Sequence, residues 1–237
     1  MYALILAGGK GERLRPLTDN LPKSMVPVHN KPLIWHQLNW LAFHGITNVV
    51  ILGGYSWEAI RDFISENNEW NIEIEYSIES TPLGRGGAIK NGLSKVPSSE
   101  SAFVALNGDE ISGVNLGSLI DQHNKSNNVA TIVLAPLRSP YGVVDVTADD
   151  KITGFREKAE LPFWVSSGIY VMNRVIEVQL PDEGDHEDTT FPRLADKGRL
   201  GAFRTQEMWQ TVNNLKELKD AEAALKMNKH RFPWIRL

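Results

Sequence analysis

Residues 6–28 read LAGGKGERLRPLTDNLPKSMVPV, an apolar run that breaks into glycines at 8, 9 and 11. Four cations, Lys10, Arg13, Arg15 and Lys23, fall between residues 10 and 23. A strand followed by glycines and cations brings backbone close to an anion; the plainer reading of Gly8, Gly9 and Gly11 is a tight strand-to-helix turn. Two generic phosphate patterns fail. Leu14 stands at the third glycine of G-x-G-x-x-G, and no Gly-Lys-Ser/Thr follows the glycines. Between Arg13 and Lys23, Pro16 and Pro22 disfavour a regular helix and hold the backbone extended. A stiff strap with a guanidinium fork at one end and an ammonium at the other suits a polyphosphate.

Outward from this stretch, short apolar runs at 3–7, 48–54, 72–78, 102–108 and 129–136 read as strands. Helical patterns lie between them at about 32–44, 56–66, 85–94 and 115–124. This alternation is the sign of βαβ units. Residues 141–158 read as a hairpin turning at Asp149–Asp150, followed by a strand at 164–172 and a last helix from about 214. The fold expected is a three-layer α/β/α, Rossmann-like, mostly parallel sheet with an added antiparallel region. One domain over 1–237 is expected, with a first part to about 135, a second over 136–212, and a helix and tail from 213. Ligands of such sheets bind beyond the C-terminal strand ends, so the loops at 8–22, 79–87 and 107–113 should share one rim.

With 237 residues, 42% of them hydrophobic, the chain can bury a large core. A net charge of −4 gives no bulk attraction to nucleic acid or an anionic membrane. There is no cysteine, hence no disulfide, thiolate metal site or thiol nucleophile. No apolar run reaches the roughly 18 residues of a membrane span, so a cytoplasmic protein is expected. His36, His44 and His123 lack metal spacing and read as structural. Trp35 and Trp40 suit packing or a subunit contact, and Trp234 and Ile235 suit docking onto a surface or a partner.

The opening stretch closely resembles the signature of the sugar-1-phosphate nucleotidyltransferases, G-G-x-G-[ST]-R-L-x-P-L-T followed by P-K, with Glu12 where Ser or Thr is usual. The resemblance continues through TPLGRGGAI, LNGD, YGVV, FREK, SSGIYV and VNNLKEL, and is nearest to short guanylyltransferases acting on manno-configured sugar phosphates. It implies that an NTP and a sugar 1-phosphate give an NDP-sugar and pyrophosphate with Mg²⁺. The nucleotide would be bound by residues to about 135 and the sugar by 136–212; whether the chain forms a homo-oligomer is left open. The nucleophile is already an anion, so cations and metal carry the chemistry.

Carried onto this chain, the resemblance places Leu6, Ala7, Gly8, Gly9, Gly11, Gly84 and Gly108 around the nucleotide. Arg13 would hold the departing pyrophosphate and Lys23 would bridge the reacting phosphates. Asp109 in LNGDEI would bind Mg²⁺; an ordinary turn Asp is the alternative. Glu110 would be a supporting acid or point away. Many relatives carry a second metal carboxylate in W-x-D; here Thr211 stands at its place, and Asn213 is the candidate ligand, with Thr211 second. Asn213 or Asn214 could equally cap the last helix. For the sugar phosphate the resemblance points to Gly142, Glu157, Lys158, Ser167 and Gly168.

Uridylyl and thymidylyl relatives have a Gln where this chain has Glu79. A carboxylate accepts two parallel hydrogen bonds, which matches guanine N1–H and N2–H₂; a solvated Glu at a strand end is the alternative. Two other functions compete. A phosphocholine cytidylyltransferase would need a cage for a quaternary ammonium. A non-catalytic sugar-nucleotide-binding homologue is favoured by Thr211 and disfavoured by Arg13, Lys23, Asp109 and Lys158 together.

Overall fold

The structure, a computed structural model, describes residues 1–67 and 69–235; residues 236 and 237 of the expected tail lie outside them. The chain opens with β1 (Tyr2–Ala7), passes through the short pair β2 (Pro27–Val28) and β3 (Lys31–Pro32), and enters α1 (Leu33–Phe43). It continues with β4 (Asn48–Gly53), α2 (Trp57–Glu66), β5 (Glu73–Ile78), α3 (Gly84–Gly92) and β6 (Ala102–Asn107). Then follow β7 (Glu110–Ser112), α4 (Leu116–Asn124), β8 (Ala130–Arg138), β9 (Val143–Val146), β10 (Ile152–Arg156) and β11 (Glu160–Asn173). The chain closes with α5 (Thr190–Asp196), β12 (Leu200–Arg204), β13 (Trp209–Thr211) and α6 (Leu215–Asn228).

The main sheet has seven strands in the order β12-β8-β11-β6-β1-β4-β5. β1 pairs parallel with β4 and β6, β4 with β5, and β8 with β12. Only β11 runs against its neighbours, antiparallel to both β6 and β8. The antiparallel region expected as an addition is therefore partly inside the main sheet, while the β9–β10 hairpin and the β13–β7 pair stand apart from it.

Alternation along the strands builds two cores. Ala3, Ile5, Val49, Ile51, Val104, Leu106, Ile169 and Val171 face one cluster, joined by Leu38 of α1, Ile60 of α2, Leu119 of α4 and Ala221 of α6. Leu4, Val50, Leu52, Phe103, Ala105, Tyr170 and Met172 face the other, with Ile89 of α3 and Leu194 of α5. Strands buried on both faces are what a covered, mostly parallel sheet requires.

Nine of the eleven residues of α1 are buried, polar ones included, and several of the polar groups are held by hydrogen bonds. His36 Nε2 bonds the Val28 carbonyl at 3.0 Å, and Trp40 Nε1 donates to Val114 O at 2.9 Å. Trp35 Nε1 donates to Glu69 at 2.6 Å, so both tryptophans are packing residues. His123 bridges Thr131 and Asn173. At the other end of the chain Trp234 and Ile235 are buried, with Trp234 against Phe43 and His44.

Candidate active site

At the C-terminal ends of β1, β4 and β6 lies a cavity of about 370 Å³. Leu6, Ala7, Gly8 and Gly9 form its floor, with Leu52, Asn107, Gly108 and Asp109 beside them. Glu79, Pro82, Gly84, Arg85, Ala88 and Asp185 form one wall, and Lys23 and Ser24 of the strap complete the lining. Strand ends that share a register deliver these residues together, since Leu6 lies level with both Leu52 and Asn107.

The strap folds back on itself instead of running extended. Glu12–Leu14 and Lys23–Met25 form short 3₁₀ turns. Buried Thr18 donates its hydroxyl to Gly11 O at 2.8 Å, and Lys23 N–H donates to Gly9 O at 3.1 Å. The prolines break the helix as expected, but these ties, with Leu14 buried beneath, return Lys23 to the glycine turn. Its ammonium is ion-paired with Asp109 and lies 2.6 Å from Asn213 Oδ1. Arg13 donates to the same Asn213 oxygen at 3.3 Å.

The turn that carries Asp109 is braced on both sides. Gln37 Nε2 donates to Asn107 O at 2.7 Å and Glu110 O at 3.0 Å, while Val212 N–H donates to Asp109 O at 2.9 Å. Pairing of β13 with β7 sets Thr211 opposite Glu110 and carries the chain on to Asn213. Glu110 faces inward, where its carboxylate accepts from Asn107 and Trp209. Burial pushes this carboxyl well above the usual range, and the charge of Asp109 adds to the shift.

The two asparagines divide the expected roles. Asn214 Oδ1 caps α6, accepting from the N–H groups of Lys216 and Glu217 at 3.0 Å. Asn213 turns its oxygen to Lys23 and Arg13, while its Nδ2 donates to Glu217 at 3.0 Å. Thr211 does not face Lys23 in this way; its hydroxyl donates to Glu217 at 2.8 Å. Burial would raise the Glu217 carboxyl, but the hydrogen bonds from Thr211, Asn213 and Asn214 outweigh it and hold the group below the usual range.

Glu79 lines the cavity, with Oε2 accepting Leu83 N–H at 2.9 Å. A Cβ at Gly8 would lie 3.0 Å from Glu79 Oε1, so glycine there makes room for the carboxylate. The glycines of α3 serve a wall: Gly86 and Gly87 both donate to Gly184 O. Arg85 fastens that wall, with its N–H and NH2 on Asp185 at 2.8 and 2.6 Å and its NH1 on Glu187 at 3.0 Å. The Arg85 guanidinium holds the Asp185 carboxyl below the usual range, whereas burial raises that of Glu187.

The expected sugar-phosphate residues lie beside the cavity and do not line it. Gly142 faces the Phe155 ring in the hairpin region, and Glu157 is exposed at the turn after β10. Lys158 pairs with Asp220 of α6 at 3.7 Å. Ser167 is buried and its carbonyl accepts from Trp209 Nε1 at 3.0 Å. Gly168, at φ 72°, leaves room for Glu110 and the Asn107 amide.

Asp109 Oδ2 and Asn213 Oδ1 converge on one ammonium, so two hard oxygen donors share a point at the cavity mouth. Among the described residues no group of three or more His, Cys, Asp or Glu could hold a metal. One carboxylate with one amide oxygen fits Mg²⁺, which keeps waters and takes its remaining ligands from phosphates. Gln37, Glu217 and the Arg85–Asp185 pair escaped the sequence reading: the partners of Gln37 lie 70 and 73 residues away and Asp185 lies 100 from Arg85, while Glu217, whose partners are 3 to 6 residues off, reads as an ordinary first-turn acid.

Among solved structures, HddC from Yersinia pseudotuberculosis superposes with a TM-score of 0.75 at 26% identity, covering 94% of this chain and 98% of that one. Its complex with GMP-PN gives a TM-score of 0.74 at 25% identity over 95% and 99% of the two chains. The mannose-1-phosphate guanyltransferase of Aspergillus oryzae is 34% identical over 226 residues, and that of Saccharomyces cerevisiae 32% over 225. Each alignment covers 92% of this chain, which spans 62% of the length of those relatives. Among the described residues no helix is long and apolar enough to cross a membrane. The family model described as Nucleotidyl transferase matches residues 2–228, and the chain belongs to that family.

Proposed function

We propose that this chain joins GTP to a sugar 1-phosphate of manno type, releasing pyrophosphate and forming a GDP-sugar. The observation that carries the reading is the Lys23 ammonium, held between the Asp109 and Asn213 side chains at the mouth of a cavity whose wall holds Glu79. A phosphate oxygen of the sugar 1-phosphate attacks the α-phosphorus; the bond from α-phosphorus to the bridging oxygen breaks, and pyrophosphate leaves with that electron pair. The nucleophile is ionised beforehand, so no residue has to take a proton. Lys23 and Arg13 bring two polyanions together and meet the charge of the transition state, while the Gly8–Gly9 turn lets backbone approach the nucleotide. Mg²⁺ on Asp109 and Asn213 would supply further charge neutralisation on the phosphates. Glu79 reads guanine through its accepting oxygens, with Oε1 free of the Leu83 contact. Lys158, released from Asp220, and Glu157 meet the sugar phosphate and sugar hydroxyls.

Likeness to the mannose-1-phosphate guanyltransferases and to a protein crystallised with GMP-PN supports the base and the sugar class. The test is pyrophosphate release from GTP, UTP, dTTP and CTP, each with mannose 1-phosphate, glucose 1-phosphate and phosphocholine. GTP with the manno sugar should react fastest. Absence of release with every pair would overturn the catalytic reading, and a CTP–phosphocholine optimum would replace it.

A further inference from the structure

The segment from Thr211 to Glu217 concentrates its hydrogen bonds on one carboxylate. Glu217 Oε2 accepts from Thr211 Oγ1 at 2.8 Å, Asn213 N–H at 2.9 Å and Asn213 Nδ2 at 3.0 Å. Its Oε1 accepts from Asn214 Nδ2 at 2.7 Å. An acid at the third position of a helix ordinarily returns to the N–H of the capping residue. Here the cap is Asn214, yet Glu217 reaches one residue further, to the N–H and side chain of Asn213. Helix capping alone does not call for that reach.

A carboxamide is a donor on one side and an acceptor on the other, and a half-turn exchanges them. In the observed orientation Nδ2 meets the Glu217 carboxylate and Oδ1 meets Lys23 at 2.6 Å and Arg13 at 3.3 Å. The reversed amide would set its oxygen against a carboxylate and its NH₂ against two cations. Both contacts would be repulsive. Thr211, where many relatives place an acid, donates to the same carboxylate, so in this chain the negative charge beside Asn213 sits on the first turn of α6 and not on β13.

We infer that Glu217 is the positioning residue of the metal and phosphate site: it locks the Asn213 amide with its oxygen toward Lys23 and Arg13, in place of a second carboxylate ligand. The inference rests on the proposed reading that Asn213 Oδ1 meets a divalent cation bound with GTP.

The experiment measures Mn²⁺ binding in the presence of GTP by electron paramagnetic resonance, with thermal melts in parallel. Glu217→Gln and Asn213→Ala should each weaken Mn²⁺ by about tenfold or more, the scale for losing an outer-shell partner or a ligand. The double variant should bind no more weakly than Asn213→Ala alone, because Glu217 acts only through Asn213. Asn213→Asp combined with Glu217→Gln should restore binding to about the wild-type level: a carboxylate accepts on either oxygen, and the Gln amide can donate to it. Asn115→Ala, which removes the side-chain cap of α4 and touches neither Asn213 nor Glu217, should lower the melting temperature and leave Mn²⁺ affinity unchanged. If Glu217→Gln does not fold, Glu217→Asp, which withdraws the charge by one methylene, should weaken Mn²⁺ in its place. Wild-type affinity in the folded Glu217 variant, additive losses in the double variant, or no rescue by the Asp–Gln pair would overturn the inference. A wild-type protein that binds no Mn²⁺ with GTP would overturn the functional reading as well.

Discussion

Lys23 Nζ stands 2.6 Å from Asn213 Oδ1, although 190 residues separate the two in sequence. The same ammonium pairs with Asp109, so three segments of the chain meet at one charge. Lys23→Ala should therefore depress kcat by at least ~100-fold while weakening GTP binding far less, because the charge matters most when the phosphates crowd together. Arg13→Ala should in addition slow the reverse reaction, in which pyrophosphate is a substrate. Steady-state kinetics in both directions decide; normal kcat in both variants would leave only a binding role for the strap.

Asp109→Asn keeps the shape of the turn and the braces from Gln37 and Val212, which reach only backbone carbonyls. Its melting temperature should stay near wild type while turnover falls by at least ~100-fold, the scale of a lost electrostatic stabiliser. A variant that turns over normally would overturn the proposed metal role of Asp109.

Glu79→Gln changes two accepting oxygens into one acceptor and one donor at the cavity wall. Preference for GTP over UTP and dTTP should shrink by roughly 1–3 kcal/mol, the worth of a bidentate base contact. The ratio of kcat/KM values across the three nucleotides gives the answer, and an unchanged ratio would place guanine recognition elsewhere. Because Leu83 N–H also leans on this carboxylate, a modest loss of stability should accompany the change.

His36 and His186 are both held at about 4, below the usual 6.5, chiefly because burial disfavours the imidazolium. His29 and Lys31 add to the effect at His36 while its bond to the Val28 carbonyl opposes it; Arg85 adds at His186 and Asp185 opposes. The unfolded chain takes up these protons near 6.5 and the native one only near 4. Their contribution to stability is thus complete above 6.5 and is lost as the pH falls toward 4, by roughly 2 kcal/mol for each histidine between about pH 7.5 and 5. Urea unfolding at the two pH values measures the loss. His186→Phe should flatten part of it, since neither ring nitrogen of His186 has a hydrogen-bond partner among the described residues and its ring packs between Tyr170 and Phe191. An equally steep acid limb in that variant would assign the loss to other groups.

The strands were legible because burial on both faces writes continuous apolar runs such as 48–53 and 102–107, and α1 because Pro32 and Gly45 bracket it. β7, β13 and β12 were not: three to five residues such as Trp209–Thr211 carry no period, and their pairing comes from distant partners. α5 is short and has Pro192 in its first turn, where proline is tolerated but hides the helical pattern. At the site, the glycines and cations near the N-terminus and Asp109 after its strand announced themselves by residue type. Gln37 did not, because a buried glutamine reads as an ordinary helix residue until the carbonyls it holds are known. Asn213 and Asn214 could not be told apart by sequence, since one step along the chain separates the residue facing the cations from the one that caps α6.

β11 spends its first seven residues, Glu160 to Ser166, largely in solvent, and becomes buried from Ser167 onward. Its ladder with β8 shifts register between Ser166 and Tyr170, at the point where Gly168 lies against Glu110 and Asn107. One continuous strand is thus an outrigger at one end and a keel at the other, with its joint beneath the turn that carries Asp109. The outer half, largely exposed and paired only with β8, should accept changes of its side chains more readily than the buried half. The joint is less free: a substitution there would be felt by Glu110 and Asn107 at once, and the tolerance of the chain to variation should change abruptly within three residues of Ser166.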